Sequence, residues 1–293
     1  MTGETLKKEV QASRSLWADA WRRLKKNRMA LICLWLVIFI IVFSFVGPWV
    51  VPGDAISQNI DLGAAPPSWD HWMGTDTLGR DMLVRTMIGG RIALLVGLVA
   101  TVVALVIGVT WGAVAAYVGG KTDEVMMRIV DVLYAFPTVV FVIVIMALFD
   151  TRNILVLFAL LGAISWLNMA RIVRGQVMSL RSREFVEAAR ATGVRTTNIL
   201  FRHIVPNTLG VIIVYSTLSL PSVMLREAFL SFLGLGVQAP LASWGTLVTE
   251  GASQILVYPW ILIGPGLVMS TTIFALNFLG DGLRDALDPQ MRN

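Results

Sequence analysis

A chain of 293 residues that is 56% apolar and only 15% charged, with a mean hydropathy of +0.73, cannot fold as a soluble domain and belongs in a bilayer. Its formal charge of +5 and pI near 9.7 do not indicate nucleic acid, because the cations flank apolar runs, where membrane topology and anionic lipid account for them. The lone Cys33 lies inside the first apolar run, which excludes a disulfide framework or thiolate metal site built from this chain alone.

In residues 1–28, Leu16, Trp17, Ala20, Trp21 and Leu24 recur at helical spacing, with cations clustered between Arg22 and Arg28. The pattern predicts an amphipathic helix lying along the inner membrane surface. Residues 29–51 form the first span; the run is longer than a signal h-region and its basic lead is extended, so it reads as a retained anchor. Residues 52–87 then turn to Pro, Gly, Asp and Trp, with Pro66-Pro67 and Gly74-Thr75-Asp76-Thr77-Leu78-Gly79-Arg80-Asp81, an ordered external segment rather than a linker. Two roles stay open for it: folding against the outer mouth, or a structural turn tied together by Arg80 and Asp81. Its acidic spacing does not match an EF-hand.

Five further apolar stretches follow, at 92–118, 137–149, 155–172, 209–230 and 260–279, each judged against the ~20 residues that a helix needs to cross hydrocarbon. The third span is the weakest and must borrow 130–136 to cross; a five-span reading would place the C-terminal tail on the other side. Pro137, Pro221 and Gly264-Pro265-Gly266 loosen their spans, while Gly97, Gly108 and Gly112 allow close helix approach. Cations set the orientation. Lys7, Lys8, Arg14, Arg22, Arg23, Lys25, Lys26 and Arg28 precede the first span, and Arg171, Arg174, Arg181, Arg183, Arg190, Arg195 and Arg202 lie between the fourth and fifth. Both sets belong inside, so six spans with cytoplasmic N- and C-termini are expected.

The segment between spans four and five is a polar island. Residues 182–191 have good helix propensity, with Ser182 placed to cap and Glu184 and Glu187 near the positive dipole end. Gly193 permits a sharp turn, and a second short helix over 196–204 runs to Pro206, which is tolerated at the start of the next span. Two short helices joined at a Gly make an angled knob. Ala188 and Ala189 keep its face shallow, and Glu187 offers charge.

Glu187-Ala188-Ala189, Gly193 and His203-Ile204-Val205-Pro206 resemble the loop by which bacterial ATP-binding-cassette importer permeases dock onto their ATPases, with His203 in the usual Ile place and Val205 in the usual Leu place. The run from Ser182 to Gly210 is similar to the peptide/nickel branch. GTDTLGRD at 74–81, SWLNMARIVRGQ at 165–176, LSFLGLG at 230–236, SWGTL at 243–247 and GDGLRDALDP at 280–289 resemble the C-type subunits of oligopeptide permeases, so the resemblance covers nearly the whole chain. It implies an all-α type I transmembrane domain over 88–285 with a coupling loop over 176–206, a tail at 286–293 in the cytoplasm, and a place in the bacterial inner membrane. It implies a transport subunit that takes up oligopeptides, is not an enzyme and binds no cofactor. The partners implied are a second homologous permease, two ATP-binding subunits that hold ATP and Mg, and an external peptide-binding protein docking on outer loops such as 238–249. Consistent with that division of labour, no Walker-type phosphate loop occurs.

The competing class is an ion-coupled carrier working without an ATPase. Such proteins place ionisable residues near the midplane, and these spans are nearly free of charge. Arg226 and Glu227 are the main exception. They lie about 30 Å along their helix from Pro206, counting ~1.5 Å per residue, near the outer interface, as snorkelling side chains, an interfacial ion pair or an outer gate contact. His203 belongs to the packing or hydrogen bonding of the loop rather than to a ligand set.

Overall fold

The computed structural model describes residues 16–149 and 154–287, which are helical apart from turns and one bridge between Thr75 and Asp81. The tail cations Lys7, Lys8 and Arg14, and residues 288–293, lie outside the described residues. Helix α1 (Leu16–Lys26) is followed by α2 (Arg28–Phe45), which Asn27 caps by accepting the Ala30 N–H at 3.1 Å. The first span is shorter than expected. It breaks at Val46 and resumes only as the single turn α3 (Gly47–Val50), where Pro48 has no N–H to continue the ladder.

Helix α4 (Met82–Val118) begins ten residues before the expected start at 92. Asp81 caps it, accepting the Leu83 and Val84 N–H groups at 2.9 and 3.0 Å, and the charge of Arg85 in its first turns is neutralised by Asp76 and Glu250. The expected third span is not a straight helix. Helices α5 (Gly120–Ala135) and α6 (Thr138–Leu148) meet at 83°, because Pro137 interrupts the ladder and forces Phe136 into an extended conformation. Among the described residues, five helices are long and apolar enough to cross a membrane, or six if this bent pair is one span.

Helices α7 (Ile154–Leu180), α8 (Glu184–Ala191), α9 (Thr196–Asn198), α10 (Val205–Phe232), α11 (Trp244–Gln254) and α12 (Trp260–Leu287) complete the chain. Spans α7, α10 and α12 run past the expected 155–172, 209–230 and 260–279 because polar end turns keep helical geometry after their hydropathy falls.

The central seam joins α4 to α7. Ala100, Ala104, Gly108, Gly112 and Ala116 recur every four residues along α4 and are all buried. A Cβ on Gly108 would sit 2.7 Å from Met169 Cβ and 2.8 Å from the Trp166 carbonyl, and one on Gly162 would sit 2.7 Å from Val103 Cβ. Lipid tails are as apolar as side chains, so helices in a membrane associate through such close approach rather than through hydrophobic exclusion. Gly97 does the same for α10, at 3.3 Å from Leu220.

The exterior is also apolar, with Trp35, Phe39, Val106, Val144 and Phe274 exposed. At one end of the bundle Ala20 and Leu24 of α1 pack with Ala30 of α2 and Ala286 of α12, so both ends of the described chain meet there.

Candidate functional site: the knob and the opposite-end network

After α7, Arg183 is extended and precedes α8, which starts at Glu184 rather than at 182. Ser182 does not cap it. The Arg183 carbonyl instead accepts the Val186 and Glu187 N–H groups at 2.9 and 3.2 Å. Glu184 and Glu187 occupy the first turn and Arg190 the last, each favourable to the helix dipole. Gly193, at φ +76°, closes the helix. Its N–H donates to the Arg190 carbonyl and that of Val194 to the Ala189 carbonyl, both at 3.1 Å, the paired bonds of a glycine-terminated helix end.

The second short helix does not stand apart from the next span. α9 passes through a π-helical turn (Ile199–Ile204) directly into α10, with the Val205 N–H donating to the Leu200 carbonyl. Pro206 lacks the N–H that would bond Arg202, and the wider turn ahead of it relieves the crowding its ring would cause. His203 is half-buried, and its carbonyl accepts the Asn207 side-chain amide at 2.6 Å.

The knob is braced from behind and bare in front. Val186 is fully buried among Val173, Val177, Ile199 and Ile204. The Arg190 guanidinium lies 5.9 Å from the Tyr117 ring centroid, and Arg181 donates to the Ala116 carbonyl at 2.8 Å, so α8 is fixed to the end of α4. Glu187 and Ala188 are exposed, Ala189 is half-buried, and Phe185 and Phe201 are exposed beside them. Sequence reading passed over these two aromatics, because apolar residues in a knob look like its packing.

Arginines read as topology signals also bind within the chain. Arg174 forks onto Asp123 with two bonds of 2.6 Å. Arg171 reaches Asp131 at 2.8 Å and lies 4.4 Å from the Tyr134 ring centroid. Both clamp α5 to α7.

At the far end Asp76 is the hub, rather than Arg80 and Asp81. It accepts the Leu78 and Arg80 N–H groups and Arg80 Nε at 2.9, 3.0 and 2.7 Å, and pairs with Arg85. Arg85 also meets Glu250 at 3.0 Å, His71 meets Asp81 at 2.8 Å, and Trp260 donates to the Thr75 carbonyl at 3.0 Å. The segment is thereby folded onto α4, α11 and α12.

Arg226 and Glu227 do not form a pair, and Glu227 does not snorkel. Successive residues on a helix point ~100° apart, and the Glu227 carboxylate is buried, accepting the Ser231 and Ser243 hydroxyls at 2.8 and 2.6 Å. Ser243 in turn caps α11, whose Trp244 is fully buried and donates to the Thr86 carbonyl at 2.8 Å. Residues 242–245 and Leu247 are therefore inside the bundle and not on an outer docking loop. Glu227→Ala strands two buried hydroxyls and should lower stability by about 1–3 kcal/mol, read as a fall in the denaturation midpoint in detergent. Arg226 lies on another face, with Nη2 3.3 Å from the Ser165 hydroxyl. No group of three or more His, Cys, Asp or Glu able to hold a metal occurs among the described residues.

A bundle of membrane-length helices, apolar outside and carrying a braced polar knob among its described residues, defines a multi-pass integral membrane protein. Residues 108–293 match the family model of the binding-protein-dependent transport system inner membrane component, and residues 15–67 match the N-terminal TM domain of oligopeptide transport permease C. The chain belongs to the family of binding-protein-dependent transport system inner membrane components and is a multi-pass protein of the bacterial inner membrane. It is 50% identical to the oligopeptide transport system permease protein OppC of Haemophilus influenzae over 95% of this chain and 90% of that protein. Identity to the Escherichia coli K12 OppC is 48%, over 98% and 95% of the two chains. The dipeptide transport system permease protein DppC of Bacillus subtilis is 46% identical, over 96% and 88%.

Proposed function

We propose that this chain is one of two homologous permease subunits of an ATP-driven peptide importer, and that the α8 knob transmits the motion of partner ATPases. The observation that carries this reading is the contrast across α8: Val186 fully buried behind, Glu187 and Ala188 exposed in front with nothing among the described residues to cover them. A helix held this firmly from behind moves as a body with α4, α7 and α10 when pushed. Glu187, Ala188 and Ala189 form the contact, Phe185 and Phe201 add apolar anchors, and Gly193, His203 and Pro206 set the angle.

On this reading the knob end is cytoplasmic, both termini lie there and α1 rests on the inner lipid surface. ATP and Mg belong to two partner subunits and none to this chain, and an external binding protein delivers the peptide at the opposite end. The match of residues 15–67 favours oligopeptides over dipeptides.

The test is affinity purification of the tagged chain from its native membrane in mild detergent. Recovery of a second permease with ATP-binding subunits and vanadate-sensitive ATP hydrolysis is expected. A stable homo-oligomer without ATPase would overturn the importer and return the ion-coupled carrier.

A further inference from the structure

Arg226 is a charge inside a span with no counter-charge among the described residues. Arg85, Arg171 and Arg174 each meet a carboxylate, and Arg91 bonds the Phe45 carbonyl at 3.1 Å. Among the described residues Arg226 has only the Ser165 hydroxyl, at 3.3 Å, and that hydroxyl already donates to the Leu161 carbonyl. Its Nε is buried without a partner, and no described carboxylate lies within 4.0 Å.

The surroundings are polar along one line. Tyr215, Ser219, Ser222 and Arg226 fall at i, i+4, i+7 and i+11, on one side of α10, a stripe about 16 Å long at ~1.5 Å per residue. Ser222 is exposed and the other three are half-buried. Tyr134, half exposed on α5, joins Tyr215 as a phenol close enough to act electrostatically on the guanidinium. A guanidinium in a span is costly against lipid and turns to a bundle interior or watered cavity, so this stripe does not face lipid.

We propose that the Tyr215–Ser219–Ser222–Arg226 stripe lines the substrate path and that Arg226 binds a carboxylate of the passing peptide. The inference rests on the reading of the chain as a peptide importer permease. A guanidinium fork matches a carboxylate in geometry and charge, and the tyrosines and serines supply hydrogen bonds tolerant of varied side chains. The site lies six residues from the end of α10, about 9 Å along the axis, where a peptide would enter.

The experiment uses the complete transporter, with its partner subunits and binding protein, in liposomes. Uptake of trialanine, trialanine amide and Ala-Glu-Ala amide is measured for wild type, Arg226→Gln and Arg226→Lys. Each peptide's variant-to-wild-type ratio is compared, which cancels the binding protein's own preference. Arg226→Gln should lower the trialanine ratio about tenfold and leave trialanine amide within about twofold. A drop for Ala-Glu-Ala amide as well assigns the site to any carboxylate; no drop assigns it to the C-terminal one. Arg226→Lys, which keeps the charge but not the fork, should restore part of the trialanine uptake.

Binding-protein-stimulated ATP hydrolysis reports assembly of each variant. If Arg226→Gln fails to assemble, Ser165→Ala, which removes only the hydroxyl that holds Arg226, should still reduce trialanine uptake more than that of the amide. Equal loss for trialanine and its amide, in an assembled variant, overturns carboxylate recognition. A wild-type transporter that carries neither peptide overturns the importer reading and this inference with it.

Discussion

Reversing the charge of Glu187 should abolish ATP-driven uptake while leaving the permease folded. Glu187 is exposed and lies in the first turn of a helix whose anchorage comes from Val186, Arg190 and Arg181. Lysine at this position keeps all of those contacts. What changes is the surface offered to a partner: on the importer reading a like charge replaces the carboxylate at the ATPase contact, a loss of about 2 kcal/mol or more, equivalent to about 30-fold in affinity. The expected result for Glu187→Lys is a melting midpoint lowered only slightly, by the lost dipole interaction of about 0.3–1 kcal/mol, with loss of co-purifying ATPase and uptake near background. Gly193→Val should act in the same direction by another route, since φ +76° costs a side-chain-bearing residue about 1–2 kcal/mol and displaces the knob. Normal uptake and normal ATPase recovery in both variants would remove the knob from the coupling path.

Gly112→Leu should be the most damaging substitution for folding. A Cβ at this position would overlap the Ala170 carbonyl oxygen and lie 3.0 Å from the Arg174 backbone nitrogen. These are backbone atoms of α7 and cannot rotate aside. The two helices would have to separate, loosening Gly108 and Gly162 on the same seam and drawing Arg181 away from the Ala116 carbonyl. Overpacking of this kind costs about 3 kcal/mol, enough to remove most folded protein in detergent. Gly175→Leu is the control, because a Cβ on Gly175 meets nothing within 4 Å, and it should stay within about 0.5 kcal/mol of wild type. Equal melting midpoints for the two variants would show that the seam is not a close contact.

Features carried by neighbouring residues were legible in the sequence. The knob helix, its Gly193 stop and the close-packing glycines depend on local propensity and spacing, and the structure places them within a few residues of expectation. A short apolar core marked the third span as weak and Pro137 marked it as loosened, but the 83° bend itself and the Arg171 and Arg174 clamps that hold α5 to α7 were not legible. What could not be read depends on distant partners. The early start of α4 needs Glu250 to neutralise Arg85 across 165 positions, and the division between Arg226 and Glu227 needs α11 to fold back and present Ser243. A hydropathy window counts those charges against a helix, whereas their satisfied forms build one.

The π-helical turn at Ile199–Ile204 leaves no joint between the knob and the span that carries Arg226. From Thr196 to Phe232 the chain is one helical rod of 37 residues, about 55 Å long at ~1.5 Å per residue. Such a rod is a lever: tilting it by about 5° at its knob end carries its far tip through about 5 Å, close to one helical pitch. On the importer reading, a rod that pivots near the knob would enlarge a small stroke delivered there, so that the junction of α10 with α11 travels farther than the surface that is pushed.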